Sequence, residues 1–261
     1  MSESATNVAS SHPKPTARRG WLVLVIGTML IGAVVAWAVL RAAEPAPPAV
    51  DLTGADPAIA AAIEAARADV RAKPRSAAVW GRLGQVLRAH DFGDAANVCF
   101  ARAEQLDPTE PRWPYLQGAT LALTDRDAAI VLFERAAARS AGEAPRLRLA
   151  ETLLMQGRLD DAERHARQAL RDAPRSARAH LALARLACRR DHLPEAQAYL
   201  DQVLAGPRGR KAALLLRAEV LQRFGRHGDA QEDLGAAAAL PDDPPWPDPY
   251  VEEVERLIIV R

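Results

Sequence analysis

The sequence is poor in aromatic residues, although it is otherwise rich in apolar ones. Tryptophan, tyrosine and phenylalanine make up 5% of the 261 residues, while 49% of the chain is hydrophobic and alanine is abundant. Strands favour aromatic and β-branched side chains, whereas alanine is the best helix former. The composition therefore predicts an all-α fold, in a chain long enough for one or two domains.

The net charge is close to zero, and cysteines are few. The 34 basic residues face 33 acidic ones, a formal net charge of +1, so no charge excess points to nucleic acid as a partner. The only cysteines, Cys99 and Cys188, belong to no CxxC motif, which argues against a zinc site, a redox dithiol and a disulfide framework. Nucleophile, phosphate-loop and dinucleotide motifs are missing as well. We therefore expect no enzyme, no catalytic residue, no metal and no cofactor.

One uncharged run, from Trp21 to Leu40, stands apart from the rest of the chain. A helix of this length spans about 30 Å, the thickness of the hydrocarbon core of a bilayer. Basic residues are concentrated before the run, at Lys14, Arg18 and Arg19, so the positive-inside rule places residues 1–20 in the cytoplasm. The run predicts a transmembrane helix in contact with lipid, in a single-pass inner-membrane protein whose remaining part is periplasmic or otherwise extracytoplasmic.

Two further interpretations of this segment stay open. Small residues at Ala36 and Ala38 would suit cleavage of a signal peptide. The four-residue spacing of Thr28, Gly32 and Ala36 would let two such helices approach closely and form a homodimer. After the run, residues 41–55 are rich in proline and alanine, which predicts an extended linker that holds the next domain away from the membrane.

The remainder of the chain repeats with a period of about 34 residues. Five alanines are in register at intervals of 33 or 34 residues, namely Ala96, Ala129, Ala162, Ala196 and Ala230. The first unit also contains Trp80, Leu83, Gly84, Phe100 and Pro108 at fixed offsets from its alanine. This pattern resembles the tetratricopeptide repeat, a unit of two helices, A and B.

The resemblance implies a solenoid over residues 56–240. Its five repeats would occupy residues 77–110, 111–142, 143–176, 177–210 and 211–240. Small residues such as Gly84 would lie where helices A and B cross, because larger ones would force the helices apart. Acidic residues at the start of each helix B are expected to cap it and to complement its dipole, namely Asp94, Asp127, Asp160, Asp161, Glu195 and Asp229.

Capping helices are expected at both ends of the solenoid. The segment that begins with Asp56 and Pro57 has the signature of a helix start and resembles an unpaired helix B. Residues 241–261 include a second such start at Asp248 and Pro249. This C-terminal tail would either pack on the last repeat as a cap, or dock onto a partner or onto the groove of its own chain.

In the family that the chain resembles, helix A lines a concave groove that holds protein segments. The corresponding residues that we single out here are Arg88, Arg112, Tyr115, Glu151, Leu154, Arg178, Leu181, Arg185, Arg189, Glu219 and Arg223. Arginines outnumber acidic residues among them, which favours a peptide or helix with negative charge. A solvated face of scattered arginines is the alternative.

The function that we expect is a membrane-anchored scaffold for protein–protein interaction, which binds a partner in this groove for the assembly of an envelope complex. The alternative is a non-catalytic regulatory subunit of a membrane enzyme, or of a complex for cytochrome c maturation or associated with the translocon. Bacterial membrane-anchored tetratricopeptide proteins have a similar layout.

Overall fold

In the computed structural model, residues 45–259 are described, and Pro47–Arg261 forms one compact unit. The predicted cytoplasmic tail (1–20), the predicted transmembrane helix with its dimerisation spacing (21–40) and the first residues of the linker lie outside the described residues. Over residues 45–259, every helix is too short or too polar to cross a membrane.

The described part of the chain contains twelve helices and no strand, which confirms the predicted all-α class. The helices are α1 (Pro57–Ala72), α2 (Ala77–Ala89), α3 (Gly93–Leu106), α4 (Arg112–Leu121), α5 (Arg126–Arg139), α6 (Glu143–Met155), α7 (Leu159–Asp172), α8 (Ala177–Arg189), α9 (Leu193–Leu204), α10 (Arg210–Arg223), α11 (His227–Ala238) and α12 (Pro249–Glu255).

Helices α2 to α11 form five helix pairs, and each pair begins within one residue of the start of an expected repeat. Every helix in this series packs against the next one along the chain, as in a solenoid. Helix α1 packs against α2 as an unpaired first helix. As expected, the Asp56 carboxylate accepts a hydrogen bond from the Ala58 N–H at 2.8 Å, with Pro57 at the first helical position.

Small residues allow the two helices of each pair to cross closely. A Cβ atom added to Gly84 would lie 2.7 Å from the Phe100 ring, and one added to Gly118 would lie 2.9 Å from the Phe133 ring. The equivalent alanines of later repeats, such as Ala184, are fully buried. The sequence-based interpretation of these positions is therefore confirmed.

The turns between helices A and B correct the prediction of acidic caps. In four repeats, a residue with positive φ ends helix A, at Asp91 (66°), Gly157 (78°), Asp191 (63°) and Gly225 (74°). The N–H group of the following residue then bonds to the carbonyl five residues earlier, at 2.9 or 3.0 Å in each case. This is the bond of a Schellman turn, and it satisfies the end of helix A through the backbone.

The helices B that follow these four turns have no side-chain cap. The residues that precede α3, α7, α9 and α11 accept no capping hydrogen bond, and the predicted acidic residues lie inside the first helical turn instead. There they complement the helix dipole, as expected, but they do not cap. The second repeat has a turn one residue shorter without positive φ, and there Asp125 caps α5 by accepting from the Ala128 N–H at 3.0 Å.

The compact unit begins before the expected boundary at residue 56. Val50 and Leu52 pack against the same hydrophobic core as the first repeat. The later half of the predicted linker therefore lies on the repeats, because these two apolar side chains are partly buried there.

Candidate functional site: an arginine-lined groove beside the C-terminal segment

The first helices of the repeats share a surface that the C-terminal segment, residues 241–259, crosses. A cavity of about 1060 Å³ lies between this segment and helices α6, α8 and α10. The helices contribute Arg148, Glu151, Leu154, Met155, Arg178, Ala182, Arg185, Cys188, Arg189, Leu216, Glu219 and Arg223. We call this surface, with the adjoining faces of α2 and α4, the groove.

The cavity is lined by one face of each helix, because its residues recur every three or four positions. Seven of the eleven residues that the sequence singled out line it, namely Glu151, Leu154, Arg178, Arg185, Arg189, Glu219 and Arg223. Their common role in partner binding stays a prediction, but the structure brings them together.

Arg178 and Glu151 are already paired with each other. The Nε and Nη2 atoms of Arg178 donate to the two carboxylate oxygens of Glu151 at 2.8 and 2.7 Å, and the side chains are only 7% and 22% exposed. Burial opposes the charge of Arg178, but the bonds to Glu151 hold its pKa above the usual value. The pair joins α6 to α8, so it supports the floor of the cavity.

Arg185 and Arg189 differ from the other arginines of the cavity. Both side chains are exposed, and within residues 45–259 neither forms a hydrogen bond or an ion pair. By contrast, Arg223 donates to the Cys188 carbonyl at 3.0 Å and pairs with Asp191. Two guanidinium groups on α8 are therefore free to bind an anionic group.

Apolar side chains lie beside these two arginines. Met155 at the end of α6 is 57% exposed. Leu154, Leu216 and Trp246 are partly buried and border the same space. The cavity thus combines an apolar surface with positive charge.

The remaining predicted residues on the groove lie beneath the C-terminal segment. The Tyr115 hydroxyl donates to the Asp248 carboxylate, and Arg112 forms an ion pair with Glu253 at 3.0 Å. Burial, reinforced by Asp248, raises the pKa of Tyr115, so its hydroxyl stays protonated and remains a donor. Arg88 borders a smaller cavity beneath α12, where burial lowers its pKa.

Leu181 differs from its expected place in the groove. Its side chain is 2% exposed and belongs to the core between α8, α9 and α10, with residues such as Leu200 and Val220. Leu181 therefore offers no surface to a partner, because it faces the second helix of its own repeat.

The sequence did not identify Trp246 and Asp248 as residues of this site. Asp248 is buried, with Tyr115 and Arg148 as partners, and Trp246 borders the cavity. A signal was available, since residues 242–255 carry six acidic side chains and the groove carries arginines. The pairing between these distant segments could not be assigned from periodicity, which describes only neighbouring repeats.

The described residues offer binding surfaces more readily than reactive groups. Burial raises the pKa of the Cys99 thiol to about 12 and that of Cys188 to about 11, so both are protonated at neutral pH. No cluster of His, Cys, Asp and Glu side chains in residues 45–259 has the arrangement of a metal site.

Comparison with known proteins places these observations in context. A family model described as a tetratricopeptide repeat matches residues 121–186 and 153–220. A comparison with curated protein sequences gave no match.

Several solved structures share the fold. PilW, described as a widely conserved type IV pilus biogenesis factor, is 18% identical with a TM-score of 0.58, over 69% of this chain and 85% of PilW. YrrB, described as a tetratricopeptide protein with an unusual peptide-binding site, is 16% identical with a TM-score of 0.57, over 67% of this chain and 91% of YrrB.

A third structure, pilF of Pseudomonas aeruginosa, is 18% identical with a TM-score of 0.55, over 69% of this chain and 90% of pilF. At these identities the likeness concerns the fold. Taken with the five stacked helix pairs and their close crossings at small residues, the family match over residues 121–220 shows that the chain contains tetratricopeptide repeats.

Proposed function

We propose that this protein is a scaffold whose groove binds an acidic segment of a partner protein. The observation that carries the proposal is the pair of free guanidinium groups at Arg185 and Arg189, next to exposed apolar surface in a cavity of about 1060 Å³. A helix or peptide with carboxylate and apolar side chains complements this combination. Peptide binding by YrrB, which shares the fold, is consistent with such a role.

Site-specific photo-crosslinking tests the proposal. A photoreactive residue at Met155, inside the cavity, should crosslink a partner in cells, whereas the same residue at Val131, equally exposed on α5, should not. The double variant Arg185→Glu/Arg189→Glu should abolish the adduct at Met155, because it replaces attraction by repulsion.

The double variant Arg126→Glu/Arg208→Glu is the control for the change in net charge. Both of these arginines are exposed and neither lines the cavity, so this variant carries the same change in net charge and should keep the adduct. An adduct at Met155 that survives the reversal at α8, or that forms equally at Val131, contradicts binding in the groove.

We further propose that residues 21–40 anchor the scaffold in the inner membrane and that the repeats act in the envelope. The uncharged run and the basic residues before it support this orientation. Membrane fractionation with alkaline extraction measures it: an anchored chain stays in the membrane pellet at full length. A soluble product that lacks about the first 38 residues would support the cleaved signal peptide instead.

A further inference from the structure

The C-terminal segment has two parts that are held differently. Its first part is attached to α10, where the Asp243 carboxylate accepts from the N–H groups of Lys211 and Ala212 at 3.3 and 2.8 Å. Trp246 covers Gly209 at the start of the same helix, where an added Cβ atom would lie 2.6 Å from the indole ring. This first part therefore fixes the segment to the fifth repeat.

The second part, residues 248–259 with helix α12, packs against the first two repeats. Glu253 accepts from the Gln85 side chain on α2 at 3.1 Å and pairs with Arg112 on α4 at 3.0 Å. The Tyr250 and Tyr115 rings contact each other, with centroids 4.8 Å apart. Helix α12 thus contacts the same face that the sequence assigned to partner binding.

The covering helix has the chemistry that the groove favours. It carries Glu252, Glu253 and Glu255 together with Tyr250 and apolar side chains, against arginines of α2, α4 and α6. An acidic amphipathic helix on an arginine-lined groove is the complex that the proposed function expects from a partner.

Helix α12 buries fewer apolar side chains than the helices of the repeats do, although Tyr250 and Val251 pack, partly buried, against the same core. Val254 is the only buried apolar side chain within its seven residues. Open clefts flank the helix, of about 1060 Å³ on the side of α6 to α10 and about 370 Å³ beside Arg88 and Ile258. Helices this short are marginal on their own. The contacts therefore resemble those of a bound ligand more than those of a core helix.

We infer that residues 248–259 are an intramolecular ligand of the groove, and that the partner displaces them with a short acidic helix of its own. That helix would present an aromatic and a branched apolar side chain in place of Tyr250 and Val254, and carboxylates to Arg112. Once α12 leaves, the partner reaches the groove from the first repeat to Arg185 and Arg189. This inference rests on the proposed function for the existence of the partner, but docking of the segment can be tested without it.

The test uses the full chain in detergent and a fluorescein-labelled synthetic peptide of residues 245–259 as the probe. Because a tethered segment has an effective concentration in the millimolar range, it should exclude the free peptide from the wild-type groove. Releasing it by Glu253→Arg, which sets two guanidinium groups against each other, should strengthen peptide binding by about tenfold or more, measured by fluorescence anisotropy. Glu232→Arg on α11, with the same charge change, should bind the peptide as weakly as wild type.

A second released variant and hydrogen exchange of the wild-type chain test the docking of α12 independently. Val254→Asp should release the segment as Glu253→Arg does, because it places a carboxylate at a buried apolar position. Because Glu253 is partly exposed, Glu253→Arg leaves the core of the repeats intact. In the wild-type chain, hydrogen exchange at the amides of residues 252–257 should be at least about tenfold faster than in α6, since α12 opens separately. Equal protection in the two helices, or no peptide binding by either released variant, overturns the inference.

The outcomes separate this inference from the proposed function. If the peptide fails to bind while the Met155 adduct still depends on Arg185 and Arg189, residues 248–259 are a fixed part of the fold and the scaffold function stands. If the peptide binds but Met155 gives no adduct, the segment is a ligand of its own groove and the partner binds elsewhere.

Discussion

At the scale of single residues, two helical glycines distinguish the effect of side-chain packing on stability from the effect of helix propensity. Gly84 lies in helix α2 against Phe100, whereas Gly235 lies in helix α11 with no atom within 4 Å of an added Cβ. Both glycines cost helix stability to a similar extent, so their substitutions differ only in the space available.

Substitution of these two glycines by alanine should therefore have opposite effects. Gly235→Ala should stabilise the protein by about 1 kcal/mol through helix propensity. Gly84→Ala gains the same propensity, but its Cβ overlaps a buried ring, and overpacking costs about 1–3 kcal/mol, so we expect a net loss of about 1 kcal/mol. Urea unfolding of residues 45–261 measures both; a stabilised Gly84→Ala would contradict the close crossing.

The thiol of Cys188 provides a pH-dependent probe of the cavity. Burial, with a further contribution from Glu219, raises its pKa to about 11. Because only the thiolate is nucleophilic, alkylation by iodoacetamide should be slow at pH 7 and should accelerate about tenfold per pH unit up to pH 10. Cys99, with its pKa near 12, should react more slowly still. A rate that reaches half of its maximum near pH 8.5 would indicate an ordinary, solvated thiol with a pKa of about 8.5.

At the scale of elements, the turn between helices decides which acidic residues cap. In four repeats a Schellman turn satisfies backbone carbonyl groups at the end of helix A. Among the five repeats, only the shorter turn of the second one has a side-chain cap at the start of helix B. Acidic residues at similar positions in the sequence thus have different local roles.

Asp125→Ala and Asp94→Ala should reveal this difference. Asp125 accepts a capping hydrogen bond, so its loss should cost about 1 kcal/mol. Asp94 interacts only with the dipole of α3, so its loss should cost about 0.3 kcal/mol at low salt and less at high salt. Thermal unfolding in both salt conditions compares the two; equal costs would mean that Asp94 caps as well.

At the scale of the whole molecule, the C-terminal segment connects repeats that are otherwise distant. Contacts in a repeat array are mainly between neighbours, so its cooperativity depends on the interfaces along the stack. Here Glu253 contacts Gln85, 168 residues earlier in the chain, while Asp243 holds the fifth repeat. The segment therefore couples the first repeats to the last one.

Glu253→Arg should weaken this coupling. We expect a broader urea transition, with loss of hydrogen-exchange protection in α2 and α4 but not in α10. Glu232→Arg, which changes the charge equally at a distance from the groove, should unfold as wild type does. A transition as sharp as that of wild type in Glu253→Arg would indicate that the repeats alone carry the cooperativity.

The parts that could be predicted from the sequence are those governed by local packing. The five repeats followed from the register of small residues, because every crossing of helices A and B imposes the same steric demand, as at Gly84 and Ala184. Most groove residues followed from the same register. Leu181 did not, because a shift of one position on α8 turns a side chain from the groove to the core. The docking of α12 could not be predicted in this way either, because α12 is not a copy of the repeat unit and contacts repeats far from it in the sequence.

The position of α12 after the repeats in the chain has a consequence for the order of synthesis. The ribosome makes residues 248–259 after the repeats, and at about 5–20 residues per second the interval between completion of α10 and of α12 is roughly 2–6 s. During that interval a nascent chain presents an uncovered groove. A partner that meets the chain while it is being made thus encounters no competitor, whereas one that arrives later must compete with α12. The order of synthesis would favour assembly with newly made protein over exchange into mature protein.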